Sequence, residues 1–247
     1  TSETIWKELH EYSLKNEVLV QAHIAESISE VYFTKEKYGF TPLRLVDSWG
    51  CLSPYLLAAH MVHLDEEEIN LVKLNNVQIL HLPAADLRIA GFAPIPRLVK
   101  AGVNVSLGVN SPPCNNRMSI MDEMWLASLM HKAYHEDPTA IPAKTVLDMA
   151  TINGARALRV DKITGSIEIG KQADIVIMEL NKLVTTPTHD YASTIVYQAT
   201  SEIVDTVIVN GRFLVQNRKL LTIDEDMLIN KAEKQARAIV KRANIHY

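Results

Sequence analysis

The sequence has few cysteines and no long apolar run, and each of these absences excludes a class of protein. Two cysteines among 247 residues cannot build a disulfide framework, so a reducing compartment is expected. No apolar run reaches about 18 residues, which excludes a transmembrane helix. The opening Thr1-Ser2-Glu3 has neither the basic start nor the apolar stretch of a signal peptide. We therefore expect a cytoplasmic protein that does not bind membranes.

The chain also lacks a strong excess of either charge. Lys and Arg total 25 and Asp and Glu total 29, which gives a formal charge of −4. Hydrophobic residues make up 47% and charged residues 22%, an ordinary globular composition. This composition excludes a disordered, collagenous or basic nucleic-acid-binding chain. The length matches a single α/β barrel of about 250 residues. The number of predicted strands shows whether such a barrel is complete.

Four short apolar runs alternate with helical segments over the first 160 residues. The runs lie at 18–20, 56–59, 77–80 and 102–108, and long helices are predicted at 119–135 and 142–158. Strands that alternate with helices indicate βαβ units and a parallel sheet. Four such units are only half of an eightfold barrel, so the match in length is a coincidence. We interpret the chain as part of a longer protein.

A different pattern follows residue 160. Short β-like runs at 175–178 and 204–209 precede Asn210-Gly211, a strong two-residue hairpin signal. The segment 224–242 is predicted to be a helix with acidic residues first and basic residues last, which suits the helix dipole. The predicted organisation is therefore a barrel portion at 1–162, a small antiparallel β portion at 163–222 and a C-terminal helix at 223–247.

Polar side chains end all four strands of the first part. They are His23, His60, His81 and Asn110. In a parallel barrel these positions are the C-terminal ends of the strands, where active sites are built. Alone, His23 and His60 are better explained as histidines satisfied by hydrogen bonds, but the joint placement of the strand-end residues favours a site. Imidazole binds zinc or iron, and Glu26, three residues after His23, can carry protons. His63 is assigned to a loop, and His81 is compatible with either a pocket or the core.

Two further pairs have weaker signals. His131 and His135 are four residues apart on a helix and could hold zinc, but Lys132 follows where a metalloprotease has Glu. We therefore expect a solvated helix face. Cys51 and Cys114 form no Cys-x-x-Cys motif, and both are predicted to be structural, with Cys114 in a loop near the site.

Several segments resemble the amidohydrolase superfamily, and together they cover essentially the whole chain. They are VQAHIAES at 20–27, AAHMVHLDEEEI at 58–69, HLPAADLRIAGFAPIPRLVKAGVNVSLGVNSPPCNN at 81–116, ATINGARAL at 150–158, GSIEIGKQADIVIMEL at 165–180 and VDTVIVNGR at 204–212. The chain is most similar to the subgroup of methylthioadenosine/S-adenosylhomocysteine deaminases, guanine-type deaminases and triazine hydrolases. This resemblance implies an α/β fold: strands five to eight of a (β/α)8 TIM-type barrel, part of a flanking small β-sandwich and a C-terminal helix.

The resemblance also implies a metal site and roles for four residues. The family carries one divalent metal, zinc or iron, that activates water. His23 matches the metal ligand after strand five, and Glu26 matches the residue that relays a proton to the substrate. His60 matches the histidine that polarises the attacking water or the substrate, and it is a second candidate ligand. Asn110 stands where the family has a metal-binding Asp that also acts as general base.

The chain departs from the family pattern at three places. It contains no His-x-His, the ligand pair that ends strand one in the family. Asn110 offers a neutral oxygen and no basic site, and losing a general base typically costs about 10²–10⁴ in rate. Catalytic metal sites use about three protein ligands, so firm binding by this chain alone is not expected. Asp86 replaces the usual Asn of relatives and is expected to alter substrate contacts.

Two hypotheses follow from these residues. In the first, the chain is part of a metal-dependent hydrolase that deaminates or dechlorinates a purine, pterin or triazine type of heterocycle. It would then be completed by the N-terminal half of the barrel and form a homo-oligomer. In the second, it is a catalytically impaired fragment or paralogue that acts as a binding or assembly module. Because four βα units leave open strand edges, we expect the isolated chain to be neither stable nor active alone.

Overall fold

The computed structural model describes residues 1–245 and contains two separate four-stranded sheets. The first sheet is parallel, in the order β1-β2-β3-β4, and its strands are β1 (Val20–Ile24), β2 (Leu56–His60), β3 (Gln78–His81) and β4 (Val105–Leu107). The second is antiparallel, in the order β5-β6-β7-β8, and its strands are β5 (Ile175–Met178), β6 (Val204–Val209), β7 (Arg212–Gln216) and β8 (Lys219–Leu220). The change from parallel to antiparallel pairing follows the change in sequence pattern after residue 160.

Helices connect the strands of the first sheet and follow both sheets. They are α1 (Glu3–Asn16), α2 (Ile28–Tyr38), α3 (Pro42–Ser48), α4 (Glu66–Leu74), α5 (Pro83–Ile89), α6 (Ile95–Lys100), α7 (Pro112–Asn115), α8 (Ile120–His135), α9 (Ala143–Met149), α10 (Ile152–Ala157), α11 (Tyr191–Ser193) and α12 (Glu225–Arg242). A π-helical turn follows α11 at Thr194–Gln198. None of the helices in residues 1–245 combines the length and apolar composition needed to cross a bilayer.

Capping side chains set where several helices begin. Ser2 accepts a hydrogen bond from the backbone N–H of Ile5 and starts α1. Asp65 and Glu68 form a reciprocal capping box at the start of α4, which satisfies two backbone donors. Asp224 caps α12 in the same way as Ser2 caps α1. These local hydrogen bonds fix the first turn of each helix.

The main core lies between the parallel sheet and the helices that cover it. All five residues of β2 are buried, as expected for an inner strand of a parallel sheet. Strand and helix residues meet in one apolar cluster, which includes Leu56, Ala58, Ile79, Val105, Leu43, Ile69, Leu98 and Val146. This core holds the C-terminal ends of the strands, and hence the polar residues there, in fixed positions.

Several observed elements differ from the predicted ones. β1 begins at Val20 and extends through His23 to Ile24, so that His23 is part of the strand. The helix α5 was not predicted, although Pro83 at its first position favours it. The helix predicted at 142–158 is divided into α9 and α10 at Thr151, whose φ and ψ of −129° and −98° are not helical. The division lets Asn153 donate a hydrogen bond to the backbone oxygen of Val105 in β4.

The second sheet contains the predicted hairpin. Val209 pairs with Arg212, and the two residues between them, Asn210 and Gly211, both have positive φ, at 49° and 74°. Such a turn matches the twist of antiparallel strands. No residue of α12 is buried. The boundaries 1–162 and 163–222 stay predictions, and the last two residues of the predicted segment 223–247 lie outside the described part.

Candidate active site at the ends of the first two strands

The loops that follow β1 and β2 are hydrogen-bonded to each other. Ile24 pairs with His60 in the sheet, and Met61 then donates its backbone N–H to the oxygen of Ile24 at 3.1 Å. Val62 and His63 both donate to the oxygen of Ala25, at 3.0 and 3.1 Å. The chain therefore fixes the two strand ends against each other and brings their polar side chains to one edge of the sheet.

Backbone strain is concentrated at these strand ends. Ala25, His60 and Met61 have φ values of 52°, 74° and 52°, in the left-handed region that side chains other than glycine rarely adopt. Each such residue costs roughly 1–3 kcal/mol and persists only where its surroundings impose it. Clustering of strain in two adjacent loops is typical of a functional site.

His23, Glu26 and His60 come together at this edge. One carboxylate oxygen of Glu26, Oε2, lies 3.5 Å from Nδ1 of His23, and the other, Oε1, lies 3.6 Å from Nε2 of His60. The two imidazole rings meet edge to face with their centroids 4.6 Å apart. His60 is fully buried, whereas the side chain of His23 is 49% exposed. The cluster therefore has a buried side and a side open to solvent.

Glu30 holds the backbone of Glu26 in place. Its carboxylate accepts hydrogen bonds from the backbone N–H groups of Ala25 at 3.1 Å and Glu26 at 2.8 Å. The role of Glu30 was not predicted from the sequence. The Ser27-x-x-Glu30 spacing at the start of α2 is a capping-box signal that could have found it.

The donor atoms of this cluster fit a divalent metal. One ligand atom from each of His23, Glu26 and His60 can be chosen so that all lie within 4.8 Å of one another. Nε2 of His60 is buried and, within the described residues, has no hydrogen-bond partner. The space between this unpartnered nitrogen, the carboxylate and the second imidazole is a position that a cation would occupy.

Asp86 lies behind His60, and both its oxygens face histidines. Oδ1 is 2.7 Å from Nδ1 of His60, and Oδ2 is 3.3 Å from Nδ1 of His81, a contact without the alignment of a full hydrogen bond. Burial pushes the pKa of Asp86 up, but the hydrogen bond from His60 and the neighbouring His81 outweigh burial and hold it below the ordinary value. The expectation that Asp86 contacts substrate finds no support, because its side chain is completely buried.

His131 lies in the interior, so the prediction of a solvated helix face is wrong for this residue. Its Nε2 is 3.2 Å from Nε2 of the buried His81. Burial is the main reason that the pKa of His131 is lowered to about 2, and the neighbouring His81 adds to it. The signal was present in the sequence, since Met124 and Ala127 stand seven and four residues earlier, on the face of α8 that is buried. His135, one turn later, is exposed as expected.

Glu123 ties α8 to the site from the other side. Its carboxylate accepts hydrogen bonds from the backbone N–H of Ala84 at 2.9 Å and from the amide of Asn115 at 2.6 Å. Burial raises its pKa above the ordinary value. Glu123 was not predicted from the sequence. Its carboxylate fixes the start of α5, which carries Asp86. It also holds Asn115, whose amide donates to the backbone oxygen of Val109, next to Asn110.

Asn110 ends the loop after β4, where it is half-buried and has a φ of 58°. Its side-chain oxygen accepts a hydrogen bond from the backbone N–H of Ser111 at 2.7 Å. The structure therefore gives Asn110 a local turn-stabilising contact, and its predicted role at a metal stays a prediction.

The two cysteines lie in apolar surroundings. Cys114, in the same region as Asn110, packs against a small apolar cluster that contains Ala59 and Leu82. Cys51 is buried in the main core.

Known proteins share both the sequence and the fold of this chain. A methylthioadenosine/S-adenosylhomocysteine deaminase of Thermoanaerobacter pseudethanolicus is 36% identical over 242 residues, which are 98% of this chain and 56% of that protein. A 5'-deoxyadenosine deaminase of Methanothermobacter thermautotrophicus is 39% identical over 236 residues, 95% of this chain and 55% of that protein. The chain spans about half the length of the curated relatives it matches.

Two solved structures of zinc-containing proteins are similar in fold to this chain. An adenosine deaminase from Xanthomonas campestris matches with a TM-score of 0.95 and 32% identity, over 98% of this chain and 55% of that one. Atrazine chlorohydrolase from Arthrobacter aurescens matches with a TM-score of 0.88 and 27% identity, over 94% and 52%. The sequence model described as the amidohydrolase family matches residues 2–214. The chain belongs to the amidohydrolase family, and its α/β fold is that of the family's TIM-barrel proteins.

Proposed function

We propose that this chain is the strand-five to strand-eight portion of a metal-dependent hydrolase that deaminates an amino-substituted nitrogen heterocycle of the adenosine type. The observation that carries the proposal is the cluster of His23, Glu26 and His60 at the ends of β1 and β2. The deaminases among its relatives support the substrate class, and the zinc-containing neighbours support zinc as the metal.

His23 and His60 would hold the ion through their ring nitrogens. When bound, a divalent ion supplies Lewis acidity that makes water acidic enough to lose a proton near neutral pH. Nε2 of His60 is buried and faces Glu26, so it is already stripped of solvent before any ligand arrives. The exposed side of His23 leaves an approach for the substrate.

Glu26 is placed to move a proton. Its carboxylate lies between the two histidines, with one oxygen towards each. In hydrolytic deamination the oxygen of water bonds to the ring carbon, the bond from that carbon to the amino nitrogen breaks, and ammonia leaves. Glu26 takes one proton from the water and gives it to the substrate, so that no net proton is gained or lost by the protein.

The test is ammonia release by the intact protein loaded with zinc. We expect turnover of adenosine, 5'-deoxyadenosine or methylthioadenosine and a fall of about 10²–10⁴ in Glu26→Gln, with the zinc content unchanged. Loss of zinc in Glu26→Gln would contradict the proton-carrying role. No turnover of any of the three nucleosides would refute the proposed substrate class, and release of chloride from atrazine instead would assign the dechlorination branch of the family.

A catalytically impaired binding module is the second candidate. Asn110 favours it, because the side chain carries no charge and its oxygen already accepts the N–H of Ser111. If this candidate is right, the intact protein should hold no stoichiometric zinc. Stoichiometric zinc in the wild type excludes it.

A further inference from the structure

A buried row of four ionisable side chains starts at the candidate site and runs into the interior. Its members are His60, Asp86, His81 and His131, and each is completely buried. The consecutive separations are 2.7 Å from His60 to Asp86, 3.3 Å from Asp86 to His81 and 3.2 Å from His81 to His131. No Lys or Arg ion pair to Asp86 occurs in the part of the chain that the structure describes. A buried carboxylate without a cation is costly unless hydrogen bonds compensate it.

The first contact fixes the position of the proton on His60. An ionised carboxylate can only accept a hydrogen bond, so at 2.7 Å the proton must be on Nδ1 of His60. A neutral imidazole with a proton on Nδ1 has a lone pair on Nε2. That nitrogen lies 3.6 Å from Oε1 of Glu26. The lone pair of His60 therefore points to the site and not to the interior.

The second contact extends the same order of protons. Nδ1 of His81 and Oδ2 of Asp86 face each other, and among the described residues neither has another hydrogen-bond partner. A proton on Nδ1 satisfies both atoms after a small rotation. Nε2 of His81 is then an acceptor, and it lies 3.2 Å from Nε2 of His131. His131, neutral with a pKa of about 2, can donate from Nε2 and leave Nδ1 as a buried lone pair.

We propose that Asp86 is a positioning residue that accepts the Nδ1 protons of both His60 and His81 and thereby holds His60 with an unprotonated Nε2 towards Glu26 and His23. Metal-ligating histidines commonly donate their other nitrogen to a carboxylate, which fixes the tautomer and the ring orientation. The effect of Asp86 on catalysis rests on the proposed function, whereas the positions of the protons on His60 and His81 do not. The same carboxylate also connects the site to α8, through His81 and His131.

The experiment that tests the proposal measures which ring nitrogen of each histidine carries the proton. The full chain, selectively labelled with ¹⁵N-histidine and free of metal, is studied by two-bond ¹⁵N–¹H correlation. In the wild type we expect Nδ1–H on both His60 and His81. A proton on Nε2 of His60, with Nδ1 bare, overturns the proposal without any variant.

Asp86→Asn then separates the two contacts. Asparagine has the shape of aspartate but only one acceptor oxygen, so it can accept from one histidine and must donate to the other. We expect His60, the closer partner, to keep its proton on Nδ1 and His81 to move its proton to Nε2. If neither histidine changes, Asp86 does not set the tautomers and the proposal fails.

Glu68→Gln is the matched control. Glu68 is another buried carboxylate, but it accepts from Thr41 and from the backbone N–H of Asp65. Its replacement should leave the tautomers of His60 and His81 unchanged, and a change equal to that of Asp86→Asn would contradict a specific role. In the intact zinc-loaded protein, Asp86→Asn should lower kcat by about 10- to 100-fold even with the His60 tautomer unchanged, because a neutral amide oxygen raises the basicity of the His60 ring less than a carboxylate does. An inactive wild type that still shows the expected tautomers would refute the proposed function and leave this inference standing.

Discussion

Replacing His131 with glutamine should make the protein less sensitive to acid. Burial lowers the pKa of His131 to about 2, against 6.5 for an ordinary histidine. As the pH falls below about 6.5, the unfolded chain binds a proton at this residue and the folded chain does not. The contribution of neutral His131 to stability is therefore complete above that pH and is lost as the pH falls towards about 2. At pH 4.5, two units below 6.5, the loss is about 3 kcal/mol.

Urea unfolding at about pH 8 and pH 4.5 measures this contribution. Glutamine places an amide near Nε2 of the imidazole, where it can still donate to His81, but it does not titrate. Between the two pH values the wild type should lose about 3 kcal/mol more than His131→Gln, and the titrations of Asp86 and Glu123 cancel in the comparison. His135→Gln, on an exposed turn of the same helix, should behave as the wild type. Equal losses in wild type and His131→Gln would refute the burial of His131 as a neutral base.

Two further substitutions test the site and the packing that supports it. Asn110→Asp adds a carboxylate at the end of β4. In the intact protein we expect this variant to bind zinc more tightly and to release ammonia faster than the wild type. An unchanged zinc affinity would show that Asn110 is not part of the metal site. Gly165→Ala should destabilise the fold by about 1–3 kcal/mol in urea unfolding, because the added Cβ would lie 2.5 Å from Cβ of Ala155. Gly170→Ala is its control, since φ is also positive there, at 94°, but nothing lies within 4 Å. Equal losses at the two glycines would show that backbone strain, and not the close contact with Ala155, determines the cost.

Local signals in the sequence predicted the parts of the fold that local interactions determine. Asp65 and Glu68 start α4 through hydrogen bonds within one turn, which the Asp-x-x-Glu spacing alone can specify. Asn210-Gly211 supplies the positive φ values of a hairpin turn without help from the rest of the chain. The polar ends of β1 and β2 were also predicted, and the parallel register explains why His23 and His60 lie close together.

The remaining features depend on contacts between distant residues. The burial of His131 depends on its packing against His81, 50 residues earlier, and helical spacing alone gives two faces to choose from. Asp86 touches His60 across 26 residues of sequence, so that contact has no local pattern. The division between α9 and α10 follows from the bond of Asn153 to β4. A homo-oligomer, a cytoplasmic location, the use of iron and the instability of the isolated chain stay predictions.

Zinc binding is the most direct measurement of the proposed site. The intact protein that contains this chain is freed of metal, reloaded with zinc and dialysed, and the zinc content is measured for the wild type, His23→Ala, His60→Ala and the exposed control His135→Ala. The proposed site predicts a single zinc ion per chain in the wild type and in His135→Ala, and loss of that ion in the other two variants. Zinc that persists in both His23→Ala and His60→Ala, or a wild type that binds none, would contradict it.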